Sequence, residues 1–565
     1  MISKKKIVLI EIIKGILMTA VLWLIFYFLL ILTVPLFSAL RNFLPNWIGI
    51  FLFIPIYFIT WIAFVKFSRM EKACEYAFGI ERNVVPGKKI MGLNFKQYEY
   101  KEIQKDSRLF VHRTLYWGAA LVLMCIVSHV SVDKIYVSKL ETQIANLKSQ
   151  NIPISMEDCY REIPEGRNAS PYLEKANEEF SSFWKQKRGL PVLRDRQIRE
   201  YLSSLKWSGK QEKDIDGLLK YAMPELRKIY DIVRRYDYWA VNDYKNIEKN
   251  PLEYKIPKLV NYTRISQLFC LNALKLTRRG QYTQAWNWLH AAVKISKFIA
   301  EHPWLISKMI SIEQQRIVSQ AILRVLLENP TAKIPGQLVN DLTELYKLKL
   351  VTDGMKCEMA SALDVYSWLM KNPDERTFSV WFSKDNMFYK LFGRVLRLPG
   401  VLELNTIEHI NAIMEIIKND DADWPYAKNP DLFDDAYQGI SNYPEWPFYF
   451  MKIVMPRWTN LYKKEYEADT SAQIAILNNA LQKFNRTKKR YPNSLAELVQ
   501  GSYVKAVDIK DKFSGQELIF KKSKDKLLIY SVGWNLKDDG GEFEALDEQQ
   551  HKKDIGIKIK KRWRS

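Results

Sequence analysis

The sequence predicts a mostly α-helical membrane protein: three N-terminal transmembrane helices, a large extracytoplasmic helical domain and a small C-terminal α+β module of one helix with an antiparallel sheet. Three observations carry this reading. Long uncharged apolar runs crowd the first 132 residues, while charge dominates residues 133–565. Through the middle of the chain apolar residues recur at three- and four-residue spacing, the period of a helix with one buried face. Residues 471–565 change to short apolar runs broken by Gly- and Asp-containing turns, the pattern of strands. With 22 Gly and 22 Pro among 565 residues the chain is poor in turn formers, and 48% hydrophobic residues with 13% aromatics supply a sizeable core.

The apolar runs define the membrane domain, residues 1–132. Gly15 to Leu40 contains no charged residue and exceeds the roughly 20 residues needed to cross a hydrocarbon core. Trp47 to Val65 and Thr114 to Val132 are the second and third runs, giving spans at 15–40, 47–65 and 114–132. The first run is an uncleaved anchor: it is longer than a signal peptide's apolar region, and Phe37 would stand three residues before a cut after Ala39. Basic residues next to short loops are retained in the cytoplasm. Lys4, Lys5 and Lys6 precede the first span, eleven Lys and Arg residues from Lys66 to Arg113 fill the 66–113 loop, and only Arg41 lies between the first two spans. The expected topology has the N-terminus and the 66–113 loop in the cytoplasm, a bacterial inner membrane, and residues 133–565 in the periplasm.

The net charge of +22 raises a nucleic-acid reading, since a basic face gains free energy by releasing counterions from phosphate. Lys and Arg are scattered among acidic residues, however, and no recognition-helix, RRM or zinc-finger pattern occurs. No nucleic-acid partner is expected; anionic lipid headgroups account for the basic residues beside the spans. Glu11 and Lys14 form an interfacial pair at the mouth of the first span, and His129 lies near the end of the third. Spans without buried ionisable residues make a poor conduit, which disfavours a transporter acting alone. The five cysteines, Cys74, Cys125, Cys159, Cys270 and Cys357, are far apart, with no CxxC and no His at metal-ligand spacing. No disulfide framework is expected, and at least one of the three beyond the spans is read as a small buried hydrophobe.

Residues 133–470 form the expected helical domain. After a short helix from Lys134 to Ser149, its clearest stripe runs through Ala285, Trp288, Leu289, Ala292, Ile295 and Ile299. The next helix offers Ile306, Met309, Ile310, Ile317, Ala321 and Val325, with Pro303 in its first turn. Glu313 falls within that second stripe, where a carboxylate must be paired or neutralised. It reads first as a structural ion pair, with Arg316, Arg278 and Arg279 as candidate partners, and second as a candidate catalytic acid beside the 420–435 cluster. The segment Asn419 to Tyr437 gathers Asp420, Asp421, Asp423, Asp431, Asp434 and Asp435, but without the alternate ligands, central Gly and late Glu of an EF-hand, so it reads as a solvated loop. There is no GxSxG, GxxxxGK[ST], HExxH or GxGxxG motif, and His409 lacks a second His one turn away. Carboxylates distant in sequence stay open as the basis of a hydrolase.

Two resemblances rest on particular residues. Ala273, Gly280, Tyr282, Ala285, Leu289 and Ala292 resemble one tetratricopeptide-type helical hairpin, without a second copy near 34 residues away. Such a hairpin implies a surface for another protein. In residues 471–565, a helix carrying Ile474, Leu477, Leu481 and Phe484 precedes Arg490, Tyr491, Pro492 and Leu495. Asp511, Phe513, Ser514 and Gly515 come next, then Tyr530, Ser531, Gly533, Asn535, Asp538, Asp539, Gly540 and Gly541, and finally Asp554 and Ile555. This order resembles the globular part of type II secretion major pseudopilins and a C-terminal module of membrane-anchored planctomycete-type proteins. The resemblance implies a Ca²⁺ site in the last loop, with Asp538, Asp539 and Asp554 as ligands and Asn535 a weaker one; a polar EQQHKK insertion before Asp554 departs from the pattern. The pseudopilin's own N-terminal signature is absent, so the module is read as a borrowed fold.

The expected function is that of a membrane-anchored cell-envelope scaffold meeting protein or glycan partners through its helical domain. The alternatives are a membrane-tethered hydrolase using dispersed carboxylates, or a subunit of a secretion or export assembly.

Overall fold

The computed structural model describes residues 89–90, 93–94, 134–160, 163–164, 166–185, 195–204, 206–239, 259–329, 332–371, 400–420, 461–524, 526–541 and 554–560. The expected spans at 15–40, 47–65 and 114–132 and the acidic residues from Asp421 to Asp435 lie outside these. Among the described residues no helix is long and apolar enough to cross a membrane. The backbone separates into two units, residues 1–134 with 444–450, and residues 135–443 with 451–565. In the first, the described strands are β1 (Lys89–Ile90) and β2 (Leu93–Asn94), an antiparallel pair.

The second unit is helical with one small sheet. Its described helices are α1 (residues 134–149), α2 (Met156–Cys159), α3 (Ser170–Lys185), α4 (Asp195–Ser203), α5 (Gly209–Arg235), α6 (Val260–Arg278), α7 (Tyr282–Glu301), α8 (Leu305–Glu328), α9 (Gly336–Tyr346), α10 (Leu350–Lys371), α11 (Val401–Asp420), α12 (Leu461–Lys488) and α13 (Ala496–Gln500). The sheet is three-stranded and antiparallel in the order β3 (Ile519–Lys522), β4 (Lys526–Ser531), β5 (Ile555–Lys560). Register pairs Phe520 with Ile529 and Ile529 with Ile557, so these three form an apolar row across one face of the sheet.

Local sequence accounts for several boundaries. Ser208 caps α5 through its hydroxyl while the Gln211 side chain returns to the Ser208 N–H. The turn between α6 and α7 is a Schellman closure: the Gly280 N–H bonds Thr277 O at 2.9 Å and the Gln281 N–H bonds Leu276 O at 2.9 Å, with Gly280 at φ +73°. The two helices pack directly on each other, as the stripe through Ala285, Leu289, Ala292, Ile295 and Ile299 requires.

Helix α8 is the hub of the unit. It packs against α6, α7, α10, α12 and β5, and side chains on most of its circumference are buried. This differs from the single apolar stripe expected of it. Because neighbours surround it, small and polar residues also point inward: Ser307, Lys308, Ser311, Gln314, Gln315, Ser319 and Arg324 are all buried. Several of their groups are matched to specific acceptors. Ser311 and Ser296 of α7 bond reciprocally to each other's carbonyls at 2.8 and 3.0 Å. The Arg324 guanidinium donates to the carbonyls of Tyr201, Leu202 and Ser204, closing the C-terminal end of α4. Burial lowers Arg324 to about 10.

The division expected between residues 470 and 471 falls inside α12. This helix runs unbroken from Leu461 to Lys488 and packs on α8, α9 and α10 as well as on β4 and β5. Ile474, Leu477, Leu481 and Phe484 are buried, and the helix that carries them packs on the helical body as well as on the sheet.

Candidate functional site

Among the described residues, a gathering of buried titratable side chains lies where α8, α10, α11 and α12 meet. On α12, Leu461, Glu465, Asp469, Ala472 and Ile476 recur at four, four, three and four residues, so two carboxylates occupy a row of otherwise core positions. Glu465 is 3% exposed and Asp469 4%. Asp420, at the last turn of α11, joins them at 6%.

Each carboxylate has defined partners. Glu465 accepts the Val351 N–H at 3.2 Å and also that of Leu350, so it sits on the open N-terminal end of α10. Asp420 accepts from the Thr352 hydroxyl, and from the Tyr466 hydroxyl at 3.1 Å; the Lys349 ammonium lies 3.8 Å from its Oδ2. Asp469 accepts the Gln315 side-chain amide at 2.9 Å on Oδ1 and pairs with Lys512 at 3.4 Å on Oδ2. Burial pushes the Glu465 carboxyl well above the usual range, and the nearby Asp469 and Asp420 add to the rise. Burial likewise pushes Asp469 up to about 6, against the lowering influence of Lys512 and Gln315.

The same device recurs nearby. Trp304, which precedes α8, offers no capping side chain; Glu358 of α10 accepts the Leu305 N–H at 3.1 Å instead. Asp364, also of α10, accepts the Met156 N–H at 2.7 Å at the start of α2. In both, burial raises the carboxyl and the backbone N–H partly offsets it. Three helices of the body thus take an N-terminal acceptor from an acidic residue on a neighbouring helix, in α2 beside a local Ser155 cap, which fixes helix register as well as satisfying orphan N–H groups.

From this row α12 reaches into the C-terminal module. The Gln473 amide donates to the Asp508 and Lys510 carbonyls, each at 2.7 Å, and the Tyr346 hydroxyl donates to the Asp508 carboxylate. Asp511, 2% exposed, binds the whole DKFSG turn to β4. Its Oδ1 accepts the Phe513 N–H at 2.9 Å and the Ser531 hydroxyl at 2.7 Å, and its Oδ2 the Ser514 hydroxyl at 3.0 Å and the Val532 N–H at 3.2 Å. Gly515, at φ +71°, closes the turn with its N–H on Asp511 O at 2.9 Å.

Glu313 is placed away from the interior row. Its side chain is 30% exposed and forms a two-point ion pair with Arg316 at 2.7 and 3.0 Å. The expected apolar surroundings are absent because Ile306, Met309 and Ile310 share this outer, half-exposed side of α8. Arg278 instead pairs with Glu212, and Arg279 lies 4.0 Å from Asp216. His409 is buried on α11 edge-on to Tyr366, and burial lowers its pKa to about 4, leaving it neutral.

The three aspartates implied as Ca²⁺ ligands lie near one another in the last loop, each already engaged by donors. Asp538 accepts from the Tyr530 hydroxyl at 2.7 Å, the Gly540 N–H at 2.8 Å and the Lys521 ammonium at 3.2 Å. Asp539 accepts the Asn535 amide at 2.8 Å. Asp554 accepts the Gly541 N–H at 2.8 Å and the Asp539 N–H at 3.3 Å. A calcium site needs six or more oxygens facing one point. Here the carboxylates face donors, one of them a cation, and among the described residues no three His, Cys, Asp or Glu side chains converge on a metal position. The residues as arranged do not fit the ion.

Compared with known proteins, the chain matches no family model, no curated protein and no solved structure.

Sequence reasoning passed over Glu465, Asp469 and Asp511 as chemistry. The first two were legible as acids in phase with core positions of one helix, a placement that demands a partner or a proton. The partners themselves come from α8, α10 and residue 512, which no local pattern brings together.

Proposed function

We propose that the chain is a membrane-anchored cell-envelope protein that acts as a scaffold, holding a helical body and a pseudopilin-type α+β module as one rigid piece for protein or glycan partners outside the cytoplasm. The anchor rests on the three uncharged runs and the orientation on the basic residues that flank them. The observation that carries the scaffold reading is the carboxylate row of α12. Glu465 and Asp469 are enclosed and bonded to helix ends, amides and Lys512, which is how a joint is built rather than a cleft.

The raised carboxyls of Glu465 and Asp469, one turn apart, favour a hydrolase as the second reading, since a protonated acid beside a second carboxylate is what glycoside hydrolysis uses. One experiment separates the two. The full chain, purified in detergent from the producing cell with and without chemical crosslinking, is compared with Glu465→Gln. The scaffold reading expects the same partners crosslinked to the helical body in both proteins and no turnover of envelope glycans by either. Glycan turnover that Glu465→Gln abolishes would overturn it. Labelling of Lys210→Cys in a cysteine-free chain by an impermeant maleimide tests the topology: labelling without lysis of the inner membrane supports it, and labelling only after lysis contradicts it.

A further inference from the structure

Helix α2 is short, yet it is fastened at several points. Ser155 caps it with its hydroxyl while Asp158 returns to the Ser155 N–H at 3.0 Å, and Asp364 of α10 accepts the Met156 N–H. Met156 and Trp304 form a small apolar cluster, and Cys159 and Tyr160 pack against it. The arrangement lays α2 along α10 so that the Cys159 thiol comes within side-chain hydrogen-bonding reach of the Cys357 thiol. Both are free thiols; Cys357 is buried and Cys159 partly exposed. The third cysteine of this unit, Cys270, is fully buried as a small hydrophobe.

We propose that Cys159 and Cys357 are a disulfide-forming pair that ties the segment leading into the helical body to α10. Mutual reach on separately anchored elements is the first thing the bond requires, because cysteines whose elements stand far apart cannot be joined without backbone movement. The half-exposed Cys159 meets the oxidant, a small-molecule or protein disulfide. Its thiolate attacks one sulfur of that disulfide and expels the other as a thiolate, which takes up the proton Cys159 has lost. Cys357 then attacks Cys159 Sγ in the mixed disulfide, releasing the second thiolate, which takes up the Cys357 proton. Two thiols are oxidised and one disulfide is reduced. The hydrogen bond to Cys357 and burial hold the Cys159 thiol well above the ordinary thiol range, with Lys308 offsetting only a small part, so exchange is slow and runs through the small thiolate fraction.

The pairing does not depend on which side of the membrane the body occupies, but its state in the cell does. The full chain purified in detergent is equilibrated with glutathione disulfide, the remaining thiols are alkylated, and peptides are mapped without reduction. The expected product is a linked peptide pair containing Cys159 and Cys357, lighter by two hydrogens than its reduced parts, with Cys270 alkylated only after unfolding. In Cys357→Ser, Cys159 is expected to be trapped as a mixed disulfide with glutathione. Both thiols remaining free in the wild-type chain, or either joined to Cys74, Cys125 or Cys270, would overturn the proposal. Acid-quenched cells, alkylated before lysis, give the second arm. Linked peptides there support both the pair and an oxidising compartment. Peptides that are free in cells but link in the purified chain uphold the pair and contradict the extracytoplasmic placement.

Discussion

The Gln315 side-chain amide on α8 donates across 2.9 Å to the Asp469 carboxylate on α12, whose other oxygen faces Lys512 at 3.4 Å. One buried acid is therefore held by the helical body on one side and by the C-terminal module on the other. That arrangement has measurable consequences for stability.

The first concerns pH. Burial holds the folded Asp469 carboxyl at about 6, above its ordinary 3.8, and raises Glu465 in the same direction. The folded state keeps protons that the unfolded chain has released, so this contribution is fully present below the ordinary carboxylate range and is lost as pH rises through the folded value. Gln at 465 copies the protonated form at every pH and keeps one acceptor oxygen for α10. The melting temperature of Glu465→Gln minus that of the wild type should increase from about pH 4.5 to about pH 7.5. A constant or shrinking difference in thermal scans would contradict the protonation assigned here.

A second prediction rests on close packing. A Cβ built at Gly354 of α10 would stand 2.8 Å from Leu305 Cδ1 and 3.1 Å from Leu305 Cα on α8. Alanine at an exposed helical glycine stabilises by roughly 0.5–1 kcal/mol, but overpacking costs about 1–3 kcal/mol. Gly354→Ala should therefore lower the denaturation midpoint. Gly217 of α5, with open space at its Cβ, should show the opposite sign on the same substitution.

Arg324 is a third test. Its guanidinium serves three carbonyls at the end of α4 from within the interior. Arg324→Leu leaves those acceptors without it, a loss of about 1–3 kcal/mol each where they stay buried. Arg324→Lys should rescue little, since an ammonium lacks the planar fork. Hydrogen exchange should quicken in residues 195–204 in both variants.

The C-terminal loop supplies the fourth. Asp511→Ala removes four hydrogen bonds from one buried carboxylate, and the melting temperature should fall by more than for Asp539→Ala, whose bond to Asn535 lies at the surface. Millimolar Ca²⁺ should leave the melting curves of both variants and the wild type unchanged, because Asp538 and Asp554 already face donors. A Ca²⁺-dependent rise of several degrees would show that the loop rearranges around the ion.

Helix periodicity was the legible part of this fold. The α7 stripe can be read from spacing alone, because its positions at three- and four-residue intervals are the ones the structure buries, whereas α12 is buried on nearly all sides between Ala468 and Phe484. Helix α8 could not be read that way: a helix enclosed on most sides has no polar face to set its phase, and Glu313 looked interior when it lies outside. The site was the least legible part. Glu465, Asp469 and Asp420 acquire meaning only from donors more than forty residues away in sequence, and the proposed Cys159–Cys357 pair draws on contacts, such as Asp364 on the Met156 N–H, that are equally remote. The resemblance residues Asp511, Phe513, Ser514 and Gly515 mark a turn whose physical logic, one carboxylate gathering four donors, is visible only in the structure.

Hydrogen exchange of the full-length chain in detergent, followed by mass spectrometry at increasing denaturant, tests most directly whether the body and the C-terminal module are one scaffold joined through α12. The account predicts that peptides from α8 and from β4 lose protection together, at the same denaturant concentration. Loss of protection in β4 while α8 remains closed would contradict it and reduce the C-terminal module to an independent appendage.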